Sequence, residues 1–191
     1  MVLLNPFYIE KNQTFTVLFL IILILQICER IVSTFFIFSK KKGEEISTYK
    51  IFHKRYFYIL FASYLTCIFI AFIELVTLKR INVILVVAGY VLYSTGVMLR
   101  WLAMSELKEF WSLFVEVKKR QQIVDTGIYR YLKHPYYTAV LFELGGNAFV
   151  CNSILAGLFL IFVQIPLIAG RIYVESRVLN VYSRRLKIRP K

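Results

Sequence analysis

Histidine is nearly missing from this chain, which carries only His53 and His134 among 191 residues. Two imidazoles do not make the His-rich metal site of an integral-membrane desaturase, so no metal is expected. Cysteine is scarce as well: Cys28, Cys67 and Cys151 are odd in number, far apart and without metal-ligand spacing. They imply no disulfide framework and read as buried apolar thiols. Acidic residues are the third shortage, with 11 Asp and Glu against 24 Lys and Arg and a net charge of +13. Such an excess suggests nucleic acid, but the basic residues lie between apolar segments. They read instead as topology determinants and contacts to anionic membrane lipids, and no nucleic-acid partner is expected. A cleavable signal peptide is not apparent, because Asn5-Pro6, Glu10 and Lys11 precede an apolar segment too long for an h-region.

What the chain has in abundance is apolar surface: 59% of residues are hydrophobic, 17% aromatic and only 18% charged. A helix crosses a hydrocarbon core of about 30 Å with about 20 residues. Stretches of that kind run from about Phe15 to Phe38, Tyr56 to Leu78, Ile81 to Met104, Pro135 to Cys151 and Ile154 to Val174. The expected fold is therefore an all-α integral membrane protein with about five transmembrane helices. It reads as a single membrane domain over 1–191, with a three-span region at 1–104 and a C-terminal core at 105–191. Lys79-Arg80 and Asn152-Ser153 are short enough to make the helices they join antiparallel neighbours. From Ala103 to Val117, Leu107, Phe110, Trp111, Phe114 and Val117 recur at helical spacing opposite Glu106, Lys108, Glu109 and Glu116, which suits an interfacial helix.

Basic residues set the orientation. Lys40, Lys41, Lys42, Lys50, Lys54 and Arg55 follow the first span, and Lys108, Lys118, Lys119, Arg120, Arg130 and Lys133 the third. Six more, from Arg177 to Lys191, follow the fifth, whereas the other side holds Lys11, Lys79 and Arg80. The positive-inside rule then puts the N-terminus outside and the C-terminus in the cytosol. Asn12-Gln13-Thr14 would face outward as an N-glycosylation pattern.

Two polar clusters fall on the same cytosolic side. One is Gly127-Ile128-Tyr129-Arg130-Tyr131-Leu132-Lys133-His134-Pro135-Tyr136-Tyr137; the other is Arg171 with Glu175, one helical turn on. Polar groups of these types near lipid read by default as a functional site. Pro135 stands where a helix tolerates its missing N–H, and Gly127 allows a sharp backbone path. Each residue also has a plainer role. Arg171 and Glu175 at i and i+4 would form an ion pair worth about 0.3–0.5 kcal/mol on an exposed helix. Against that, Glu175 falls near the end of the fifth span, where the helix dipole disfavours an anion. His134 alone would be a cap before Pro135, and Tyr129, Tyr131 and Tyr137 would be interfacial anchors. Glu143 stands near the middle of the fourth span, where an unpaired carboxylate costs about 2.5–3.5 kcal/mol. It either pairs with Arg30 or lines an acceptor cavity. Glu29 and Arg30 are adjacent and point to different faces.

The stretch from Gly127 to Tyr137 resembles the Gly-Pro-Tyr-Arg-Tyr-x-Arg-His-Pro-x-Tyr signature of the isoprenylcysteine carboxyl methyltransferase family. Arg171-Ile172-x-x-Glu175 resembles that family's Arg-Ile-x-x-Glu-Glu, and the likeness covers roughly Phe110 to Leu179. Ile128 stands where the family has Pro, Ser176 where it has a second Glu, and Arg120-Gln121 where Gly-His is common. Gln26, Glu29-Arg30 and Leu141-Phe142-Glu143 look most like small bacterial members, some of which methylate lipidic polyketides such as alkylpyrones or alkylresorcinols. The resemblance implies S-adenosylmethionine as methyl donor, bound in a cytosolic pocket of the C-terminal half, and a lipidic methyl acceptor bearing a carboxylate or hydroxyl. It implies cofactor contacts at Ile123, Val124, Tyr131, His134, Tyr137 and Glu175. Arg171 would orient the acceptor's anion, and Glu143, Glu175 or His134 would take a proton if the acceptor is a phenol or enol. Two other classes compete: a nicotinamide-dependent lipid or sterol reductase, which shares a similar C-terminal helical layout, and a non-catalytic membrane protein that kept the fold.

Overall fold

The computed structural model describes residues 8–10, 13–39, 49–50, 54–107, 116–117 and 126–185. The apolar stretches are helices: α1 (Gln13–Ser39), α2 (Lys54–Thr77), α3 (Val83–Leu107) and α4 (Pro135–Val150). A final rod consists of α5 (Ile154–Phe159), a π-helical turn at Leu160–Gln164 and α6 (Ile165–Arg185). Among the described residues, three helices are long and apolar enough to cross a membrane: Tyr56–Thr77, Val83–Leu107 and Ile154–Arg177. Their outward faces carry exposed Phe61, Phe69, Ile73, Val87, Val91, Leu158 and Phe162. Water would penalise such a surface, whereas hydrocarbon accepts it, so this is an all-α membrane protein. With 16 residues, α4 is about 24 Å long, and it turns Glu143, Leu144, Asn147 and Ala148 inward.

Glycine decides which helices touch. A Cβ on Gly146 would come within 2.6 Å of Tyr93 N and 2.7 Å of the Gly89 carbonyl oxygen. One on Gly96 would lie 2.9 Å from both the Ala139 carbonyl oxygen and Glu143 N. The backbones of α3 and α4 therefore meet directly and run antiparallel, the close packing that small residues permit between membrane helices. The extensive partner of α3 is thus α4 and not α2, although the link from Thr77 to Val83 is as short as expected. In turn α2 runs antiparallel to the last rod: Tyr56 Oη donates to the Leu167 carbonyl at 2.7 Å, and Cys67 Sγ lies 3.7 Å from the Ala156 carbonyl.

The expected turn at Asn152-Ser153 joins α4 to α5. Asn152 takes φ 52°, a left-handed conformation that asparagine tolerates. Ser153 caps α5 by accepting from Ala156 N at 3.0 Å. It also donates to Glu74 Oε2 at 2.6 Å, and that oxygen takes Leu155 N at 3.0 Å. Asn152 Oδ1 accepts from Asn82 N at 2.7 Å, so the turn is tied to the ends of both α2 and α3.

The last span is not uniform, because Pro166 lacks an N–H and crowds the preceding turn; the π-helical turn just before it absorbs the mismatch. The span expected from Ile154 to Val174 is present as Ile154–Arg177, but the helix itself does not end there. It continues to Arg185, so Glu175 sits inside a helix and the dipole argument against it falls away. The stretch from Ala103 to Val117 is not one helix either. α3 is described as far as Leu107, residues 108–115 lie outside the described residues, and Glu116–Val117 (β4) is a strand that pairs antiparallel with Tyr49–Lys50 (β2). Tyr and Val favour such a ladder, and helical spacing of apolar residues does not register it. A second short ladder pairs Tyr8–Glu10 (β1) with Arg80–Asn82 (β3).

Candidate active site

The loop before α4 turns on a single glycine. Gly127 adopts φ 55°, and a Cβ there would overlap the Glu106 carboxylate at the end of α3. Glycine is therefore required twice over, by conformation and by space. From it a short 3-10 turn, Gly127–Arg130, leads to Tyr131. Tyr129 N donates to the Thr126 carbonyl at 3.1 Å and Leu132 N to the Ile128 carbonyl at 3.0 Å. Thr126 Oγ1 donates to Glu106 Oε2 at 3.3 Å and Tyr129 Oη to the Ala103 carbonyl at 3.4 Å, docking the loop on α3. Burial pushes the Tyr129 phenol up, and the nearby Glu175 and Glu106 carboxylates raise it further, so it stays neutral.

His134 occupies the N-cap of α4, followed by buried Pro135 at the first helical position. Its imidazole makes no capping bond to α4. It therefore caps α4 as expected but through its backbone alone, its carbonyl accepting from Thr138 N at 3.2 Å. The ring instead lies 6.1 Å from that of Tyr137, one turn into the helix.

Tyr137 is the hub. Its hydroxyl donates to Glu175 Oε2 at 2.6 Å and accepts from Arg171 Nε at 3.2 Å. Arg171 is only 6% exposed, so the pair at i and i+4 is not a solvated helix-surface ion pair. Since α4 and α6 run antiparallel through the Asn152-Ser153 turn, the start of one and the body of the other share a depth. His134, Tyr137, Arg171 and Glu175 therefore stand at one end of the bundle. Tyr131 belongs to the same loop but is 80% exposed. Ile123 and Val124, with Arg120 and Gln121, lie outside the described residues.

Glu143 is elsewhere. Six residues after Tyr137, about 9 Å along α4, its carboxylate is 0% exposed and sits between two guanidinium groups. Arg100 Nε donates to Oε1 at 2.6 Å, and Arg30 Nη1 donates to Oε2. Arg100 Nη2 also reaches Glu29 Oε2 at 2.5 Å, while Trp101 Nε1 donates to Glu29 Oε1 at 3.0 Å. The Arg30 guanidinium stacks 4.2 Å over the Tyr64 ring. Of the two roles expected for Glu143, the pairing with Arg30 is present. Glu29 and Arg30 do not pair with each other, yet both enter one network that spans α1, α2, α3 and α4. Arg100 was the residue missed. Its signal was present, a lone cation inside an apolar span, for which a buried partner is the default expectation.

A family model for the isoprenylcysteine carboxyl methyltransferase family matches residues 83–181, from the start of α3 into α6. No curated protein and no solved structure matches the chain.

Proposed function

Because the chain belongs to the isoprenylcysteine carboxyl methyltransferase family and is thus a membrane methyltransferase, we propose that it methylates a carboxylate or hydroxyl of a lipidic acceptor, with S-adenosylmethionine as donor. The observation that carries this reading is the Tyr137 hydroxyl, held between Arg171 and Glu175 at the end of the bundle where His134 begins α4. These groups suit the donor. A carboxylate such as Glu175 complements its ammonium, and the rings of His134, Tyr137 and Tyr131 offer faces to a sulfonium. Ile123 and Val124 would supply the apolar slot for adenine. When bound, S-adenosylmethionine supplies an electrophilic methyl group carried on sulfur.

The chain's own contribution is placement and dryness. Tyr137 fixes the Glu175 carboxylate in one orientation by donating to it. Arg171, a buried guanidinium, holds the acceptor's anionic oxygen in line. Bringing opposite charges together away from water accounts for much of the acceleration in such a reaction. A carboxylate acceptor then needs no base. For a phenol or enol, Glu175 or His134 takes the proton. Glu143 is assigned to the bundle, because both of its carboxylate oxygens are already held by Arg100 and Arg30. We place the site on the cytosolic face, with the N-terminus outside and five crossings.

Calorimetry with S-adenosylhomocysteine and with NADPH tests the donor. Binding of the first alone is expected; binding of NADPH alone, or of neither, would remove the proposal. Incubating lipid extracts with donor carrying a labelled methyl group then identifies the acceptor.

A further inference from the structure

A cleft of about 80 Å³ opens between α1 and α2, well away from the Tyr137 hub. Its walls are Leu23 and Ile31 of α1, Phe61 and Leu65 of α2, Tyr93 of α3 and Asn147 of α4. At the rim Ile31, Phe61 and Leu65 are exposed, and on an apolar span that exposure faces hydrocarbon. At the floor Asn147 is only 4% exposed, and its Oδ1 has no hydrogen-bond partner. A buried carboxamide oxygen left unpaired is costly and uncommon, and it calls for a donor.

We infer that this cleft binds the hydroxyl end of a long-chain alcohol from the bilayer, the hydroxyl donating to Asn147 Oδ1. The chemistry narrows the choice. A carboxylate or phosphate group itself has no proton to give a carbonyl oxygen. An ammonium would lie against Arg30, which forms part of the wall. A neutral hydroxyl satisfies the acceptor without a charge, and its chain continues past the rim against Ile31, Phe61 and Leu65. The volume admits a chain end and not a whole lipid. This site is separate from the methyl-transfer reading and stands without it.

The test uses the full chain in nanodiscs and hexadecan-1-ol bearing a diazirine several carbons from its hydroxyl, where the chain would pass the rim, with the matching methyl ether as control. Labelling is expected on α1 and α2 near Ile31, Phe61 and Leu65. The alcohol should outcompete the ether by at least about fivefold, equivalent to one net hydrogen bond of about 1 kcal/mol. Asn147→Leu should label equally with both probes. Equal labelling of the wild type would mean that a trapped water satisfies Asn147, and the proposal would be wrong. A preference that survives Asn147→Leu would overturn it as well. Leu65→Trp narrows the mouth without touching Asn147, and provides a second reading if Asn147→Leu does not fold. It should cut labelling by the alcohol at least about fivefold and leave S-adenosylhomocysteine affinity unchanged; undiminished labelling would rule the cleft out.

Discussion

Tyr137 and Glu175 are 38 positions apart in the chain and joined by a 2.6 Å hydrogen bond, the phenol donating to the carboxylate. The bond couples the first turn of α4 to the middle of the last rod, so the orientation of one acidic group depends on both. Under the proposed function, with Ser176 where the family carries a second acid, Glu175 would bear the interaction with the donor alone. Glu175→Gln keeps the shape and removes the charge, and a charge-assisted hydrogen bond is worth about 1.5–3 kcal/mol. Glu175→Gln and His134→Ala are each expected to weaken S-adenosylhomocysteine binding at least about tenfold, or 1.4 kcal/mol. Ser176→Glu should bind equally well or more tightly. Unchanged calorimetric affinity in both loss variants of a folded protein would show that the donor binds elsewhere.

The ionic network makes a prediction about stability, not turnover. Removing one partner of a buried ion pair costs about 3–5 kcal/mol, because the other charge is left stranded. Glu143→Gln, Arg100→Met and Arg30→Met should each lower the melting temperature of the detergent-solubilised protein. Glu143→Leu combined with Arg100→Met should cost less than the sum of the two single changes. A Glu143→Leu protein as stable as the wild type would mean that the network holds nothing together.

Packing between α3 and α4 allows a controlled comparison of two glycines. A methyl on Gly146 meets the backbones of Tyr93 and Gly89, whereas one on Gly157 meets nothing within 4 Å. Overpacking of this kind costs about 1–3 kcal/mol, and alanine is favoured over glycine inside a helix by up to about 1 kcal/mol. Gly146→Ala should therefore lower the melting temperature, and Gly157→Ala should leave it unchanged or raise it. Equal effects of the two substitutions would contradict the close approach of the backbones.

Orientation can be settled by chemical labelling. With an odd number of crossings, cysteines introduced at Asn12 and Arg189 react from opposite sides of a sealed vesicle, the second from the cytosolic side. Reaction of both from one side would mean an even number of crossings and reverse the assignment of one end.

Local features were legible in the residues themselves. Pro135 and Asn152-Ser153 bound α4 within one residue, and that hairpin by itself puts His134 and Glu175 at one depth. Glu143 announced a partner because an unpaired carboxylate inside a span is so unfavourable, and Arg30 was one of the groups it found. Arg100 escaped because averaged hydropathy absorbs a single cation among valines and leucines. Helix neighbours were harder to read, since a short link brings two helices close without making their faces fit. The flat faces at Gly89, Gly96 and Gly146 decide that, and their alignment depends on three-dimensional register. The π-helical turn had a visible cause in Pro166, but proline in a helix permits a kink, a break or a bulge. Ile123 and Val124 remain assigned by family likeness.

The network around Glu143 also imposes a timetable on synthesis. Glu29 and Arg100 are 71 positions apart, and Arg30 and Glu143 are 113 apart. At about 5–20 residues per second, α1 waits roughly 4–14 s for Arg100 and roughly 6–23 s for Glu143. Throughout that interval it holds an adjacent acid and base whose counter-ions do not yet exist. A helix made before α3 and α4 is thus locked in place only after them, and ribosome speed between Arg30 and Glu143 sets how long its charges go unanswered.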